Sequence, residues 1–121
     1  MRRATAAALV LLGAACAGAP PIPAERLSQT EAEIRAAQEI GAEKVPQAKL
    51  HLQEAREQLE AAKTLQKSNP EEAARRLELS RAQAELANAL TREETAVSEA
   101  EQAKARLAAL RKGQEPTGGA R

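Results

Sequence analysis

From Val45 to Leu110 the apolar residues of this chain return every three or four positions, and almost all of them are Leu or Ala. Val45, Leu52 and Leu59 make a row seven residues apart, with Ala48, Ala55 and Ala62 three behind each. Further on, Leu79, Leu86, Glu93, Ala100 and Leu107 make the same kind of row. Ala82, Ala89, Ala96, Ala103 and Leu110 follow it at the same offset, and only Glu93 is polar. Leu50, Leu65, Leu90 and Val97 widen the stripe on one side. Strands need a period of two, whereas a sustained 3–4 alternation is the mark of helices packed along a seam. Alternate Ala lets two such backbones approach closely. The pattern predicts an all-α, coiled-coil-like fold.

Composition agrees and narrows the function classes. Phe, Tyr and Trp are absent and every acidic residue is Glu. Ala, Glu, Leu, Arg, Gln and Lys dominate, all strong helix formers. The formal net charge is only +1. A nucleic-acid binder would want a basic face and aromatics for stacking, so no nucleic-acid partner is expected.

Punctuation divides the chain into three helices. Ser28-x-x-Glu31 reads as a capping box with Leu27 as hydrophobic staple, starting a first helix that runs to about Ala42. Gly41 and Pro46 interrupt it, because Pro lacks an amide donor and disfavours helix at Val45. A second helix runs from Pro46 to about Lys67. In Asn69-Pro70-Glu71-Glu72, Asn69 suits the N-cap, Pro70 the first helical position, and the two Glu the positive end of the dipole. The third helix then meets no Gly or Pro until Gly113, which suits a left-handed cap behind Arg111 and Lys112. Glu31 with Arg35, Glu71 with Arg75 and Glu72 with Arg76 have the spacing that supports a helix.

Lengths suggest the packing. At 1.5 Å per residue, residues 70–111 span ~63 Å and residues 28–67 together ~60 Å. The first two helices, end to end and kinked near Val45-Pro46, can therefore run back along the third as a long antiparallel α-helical hairpin. The alternative is a three-helix bundle in which "GAEKVP" is a tight loop and the third helix overhangs. The short turn at Ser68-Asn69 makes helices two and three antiparallel in either case.

The N-terminus concerns location. Met1-Arg2-Arg3 supplies a positive start and Ala4 to Leu12 an apolar stretch too short to span a bilayer, the pattern of a signal peptide. Cys16 is the only cysteine. Leu12-Gly13-Ala14-Ala15-Cys16 resembles a bacterial lipobox, in which acyl chains such as palmitate are attached to the Cys and cleavage leaves it first. That resemblance implies a membrane partner through the lipid, with Cys16 as the lipidation site. Ala17 after it is of the outer-membrane type, with the protein facing the periplasm. Cleavage after Ala17 would instead give a soluble periplasmic protein. The expected layout is a signal peptide over 1–15, a lipidated Cys and Pro-rich tether over 16–24, a helical domain over 25–112 and a disordered tail over 113–121. Pro20, Pro21 and Pro23 favour an extended tether.

Nothing in the chain reads as chemistry. His51 is the only histidine, so no metal site assembles around it. Neighbouring carboxylates such as Glu93-Glu94 point about 100° apart on a helix. No nucleophile–base pair, phosphate loop or nucleotide fingerprint occurs, so no catalytic residue, metal, cofactor or small-molecule substrate is expected. Thr91-x-x-Glu94 imitates a capping box. Glu93 therefore marks either a polar notch where the third helix opens to a partner, or a loosened seam with its stem reaching water.

Residues ~28–105 resemble the bacterial family called domain of unknown function 4398. The likeness rests on "GAEKVPQAKLHLQEAREQLEAA" and "NPEEAARRLELSRAQAELA", in that order behind a lipobox. Lys44-Val45 stands where family members often carry an aromatic, and Gln83 where they carry an acid. The resemblance implies a helical envelope lipoprotein without assigned activity. Some relatives are fused to a peptidoglycan-binding domain of the outer-membrane-protein-A type, and none of these residues reads as one.

With mostly Ala on one side of its seam, such a hairpin buries little, so self-association or a helical protein partner is expected. The leading expectation is a non-enzymatic structural or adaptor lipoprotein acting by helix–helix recognition. Leu52, Leu59, Leu79, Leu86, Glu93, Val97 and Leu107 are its candidate contact residues. The alternative is an accessory module that binds envelope glycan or a secretion complex through charged faces. Only the alternative should weaken steeply with salt.

Overall fold

A computed structural model of the protein describes residues 20–113. They form α1 (Ala24–Glu39), a 3-10 turn (Ala42–Lys44), α2 (Pro46–Leu65) and α3 (Pro70–Gly113). The all-α expectation holds, and α2 and α3 pair antiparallel through the turn at Gln66–Asn69. Asn69 caps α3 as its position suggested. Its Oδ1 accepts from the Glu72 amide at 3.2 Å, and Pro70 takes the first helical position.

The first helix settles the choice of architecture. Gly41 adopts φ +95°, the only left-handed residue among those described. The 3-10 turn and Pro46 follow it directly, so the chain reverses there instead of kinking. α1 runs back antiparallel to α2: Gln66 Nε2 donates to the Ile22 carbonyl at 3.1 Å, Lys63 pairs with Glu31 at 2.9 Å and Arg56 with Glu43 at 2.9 Å. The same helix lies parallel to α3, where Arg26 pairs with Glu78, Arg81 lies 3.6 Å from Glu33, and Asn88 Nδ2 donates to the Glu33 carbonyl at 3.3 Å. The result is the three-helix bundle with an overhanging third helix, not a first arm kinked at Val45-Pro46. Folding back lets Ile34 and Ala37 bury against two helices at once, which an end-to-end arm could not do.

The N-terminal boundary also moves. α1 starts at Ala24, so the Ser28 capping box lies inside it, and Ser28 Oγ donates to the Glu25 carbonyl instead. Ile22, inside the 16–24 stretch expected to be a tether, is buried in the core. At the other end Gly113 is still helical and takes no left-handed cap. Residues 1–19, with Cys16 and the expected signal peptide, and residues 114–121, the expected tail, lie outside the described part.

The seam on α2 is the one its spacing predicted: Ala48, Leu52, Ala55, Leu59 and Ala62 are all buried. On α3 the buried row is different. Ala73, Leu77, Ser80, Ala84, Ala87 and Thr91 face the core, again at alternating steps of four and three. The predicted row through Leu79 and Leu86 turns outward. Two 3–4 rows compete on this helix. The winner contains two hydroxyls whose polarity is cancelled locally: Ser80 Oγ donates to the Ala55 carbonyl of α2 at 2.7 Å, and Thr91 Oγ1 to the Ala87 carbonyl at 2.7 Å. Thr91 thus bonds back within an unbroken helix, and α3 does not open at Glu93.

Candidate functional site

The residues singled out from sequence fall into three groups. Leu52 and Leu59 sit in the α2–α3 core, 1% and 5% exposed, and are not available to a partner. Leu79, Leu86, Val97 and Leu107 are exposed, 41–55% of each reaching solvent, and all lie on α3. Glu93 is exposed too; it lines a shallow cleft with Val45, Gln47, Leu90, Glu94 and Val97 where α3 leaves the bundle. Cys16 is outside the described residues.

The exposed group forms a single face. α1 and α2 cover the side of α3 that carries Leu77, Ala84 and Ala87. At 100° per residue, Leu79, Leu86 and Val97 lie more than ~90° round the helix from that side. From Arg92 to Gly113 every residue is exposed, and among the described residues only Ile40, Val45 and Gln47 border this stretch, at its root. This overhang is ~33 Å long, half of a ~66 Å helix. Beyond Thr91 the buried row gives way to Glu94, Ser98 and Glu101, whereas the outward row continues as Ala96, Ala100, Ala103, Leu107 and Leu110. The row that continues from Leu79 to Leu110, polar only at Glu93, is therefore the one the bundle leaves open. Leu110, 64% exposed, belongs to it and was not among the expected contacts. Neither was Ile40, 42% exposed, which flanks Thr91, Arg92 and Thr95 at the root of the overhang. Its place at the end of α1, just before Gly41, was the available signal.

Electrostatics elsewhere hold the bundle together. Lys63 beside Glu31 lowers that carboxyl, and Arg56 does the same for Glu43. Arg75 and Arg76 both bind Glu72, at 3.0 and 2.8 Å, and hold its carboxyl below the usual range. The expected Glu72–Arg76 pair therefore forms, whereas Arg75 prefers Glu72 to Glu71. Glu33 is the exception. Burial raises its carboxyl despite Arg81, and its Oε2 is buried without a hydrogen-bond partner. His51 joins two helices, its Nδ1 2.7 Å from Gln83 Oε1. Among the described residues no group of three or more His, Cys, Asp or Glu is placed to hold a metal ion. No described helix is long and apolar enough to cross a membrane.

Compared with known proteins, residues 25–105 match the model of a family described as Domain of unknown function (DUF4398). No curated protein matches the chain, and no solved structure does.

Proposed function

The chain belongs to the DUF4398 family, and from that premise we propose that it is a non-enzymatic adaptor that recognises helices through the outward face of α3. The observation that carries this reading is the apolar row from Leu79 to Leu110, unused by the core and continued along an uncovered overhang. A row of this length offers anchors at successive turns, the way an amphipathic helix is read by a groove or by another helix. Helical recognition needs no pocket, and a face of Leu and Ala supplies shape without polar chemistry. The lipobox around Cys16 supports placing the adaptor at the outer membrane, held by its acyl chains and facing the periplasm.

Two measurements test this. Membrane fractionation with lipid labelling should find the wild type labelled in the outer-membrane fraction and Cys16→Ser unlabelled and released. A soluble, unlabelled wild type removes the anchor from the proposal. A photoreactive residue at Leu86 or Leu107 should cross-link to a polypeptide in cells, whereas the same residue at Ser98, on the opposite side of the overhang, should not. Equal yields from both sides, or a yield that collapses with salt, would point to the charged faces instead.

A further inference from the structure

Beyond Arg92 at its root, the charges of the overhang are segregated along its length. Glu93, Glu94, Glu99 and Glu101 occupy the half next to the bundle, and Lys104, Arg106, Arg111 and Lys112 the half at the tip. The two sets mirror each other with opposite sign. Pairing Glu93 with Lys112, Glu94 with Arg111, Glu99 with Arg106 and Glu101 with Lys104 makes every pair of residue numbers add to 205. A helix lying parallel on this one would set acid against acid and base against base. A second copy lying antiparallel would meet its complement along the whole overlap.

The apolar row accepts the same arrangement. With Ala100 facing Ala103 of a second copy, Ala96 faces Leu107 and Glu93 faces Leu110, so each large residue meets a small or flexible one and the backbones approach closely at the centre. In that register Glu99 and Arg106 flank the seam directly, twice over by the twofold symmetry. Glu93 lies in the seam itself with its stem against Leu110, and the remaining charges lie further round and act through the field. Among the described residues, the outward row beyond Ala96 is free of contact with α1 and α2. α1 and α2 pack on the other side of α3, and only their ends at Ile40, Val45 and Gln47 reach the root of the overhang, so the two bundles sit at opposite ends of the paired region.

The geometry points to a second copy of this chain as the occupant of the overhang, paired antiparallel through Ala96, Ala100, Ala103, Leu107 and Leu110. This rests on the reading of the outward face as a helix-binding surface and names its partner.

The test uses the full chain carrying Cys16→Ser, so that no native thiol interferes. Sedimentation equilibrium should give a concentration-dependent monomer–dimer equilibrium. Glu99→Arg should weaken it about tenfold or more by setting like charges together at both flanks. Glu99→Arg combined with Arg106→Glu should restore it, and circular dichroism should be unchanged throughout, since both residues are exposed. Oxidation of an equimolar mixture of Ala96→Cys and Leu107→Cys chains should yield the mixed disulfide in preference to either homodimer. A monomer at every concentration, a double exchange that does not restore pairing, or a dominant Ala96→Cys homodimer would each overturn the antiparallel self-pairing. If the chain is monomeric yet Leu107 cross-links to a different polypeptide in cells, the second copy is ruled out and the adaptor reading survives. If Leu107 cross-links to nothing and the chain is monomeric, both fall.

Discussion

Between α2 and α3, at full burial, the Ser80 hydroxyl donates across the interface to the Ala55 carbonyl, where the two backbones approach closely. Ser80→Leu should therefore cost ~1–3 kcal/mol through overpacking, against ~1 kcal/mol for Ser80→Ala, which loses only the hydrogen bond. Urea denaturation of the two variants checks the order. This residue also explains why hydropathy points to the other face of α3: the pattern counts Ser80 and Thr91 as polar, although their hydroxyls find partners at 2.7 Å and bury without penalty. Glu33 makes the opposite case, a charge whose burial is not fully compensated. Its carboxyl pKa is raised in the fold, so its contribution favours folding below the unfolded value and is lost as pH rises through the folded one. Glu33→Gln should raise the urea midpoint at pH 7 and leave it unchanged near pH 3. An equal shift at both values would assign the effect to packing instead.

Among the elements, α2 was legible almost residue by residue, and so was the Asn69–Pro70 start of α3, because each depends on local chemistry and a single uninterrupted row. The start of α1 was not. Its first turn bonds to the Pro23 carbonyl with no side-chain cap, so the clearest capping signature nearby, at Ser28, pointed one turn too late. The direction of α1 was not legible either, because lengths permit both arrangements and a Gly followed by Pro punctuates a kink and a reversal alike. What decides it is φ at Gly41. A Cβ there would meet only Lys44 Cδ, at 3.9 Å, so Gly41→Ala has room for its side chain and suffers in the backbone alone. The expected cost is ~1–2 kcal/mol, seen as a lower melting temperature with the helical content of the folded state retained.

For the molecule as a whole, the three helices are joined at their surfaces by pairs that depend on ionised Glu. Glu31 to Lys63 and Glu43 to Arg56 tie distant parts of the chain, and Glu72 anchors the first turn of α3. Their carboxyl values are lowered in the fold, so this stability is present above the unfolded carboxylate value and is lost as pH falls through the folded one. The urea midpoint should drop on acidification below about pH 5, less so in 1 M salt, where exposed pairs are already screened. Glu33 acts in the opposite sense, so Glu33→Gln should steepen that drop. The bundle also has a definite foot and a definite tip. Ile22 enters beside Gln66, at the end where α3 begins, and the overhang leaves from the other end. Held at its foot, such a molecule is a ruler: it sets the tip of α3 ~66 Å from whatever grips the N-terminal entry. Two rulers overlapping tip to tip over ~33 Å would hold their grips ~100 Å apart and facing opposite ways.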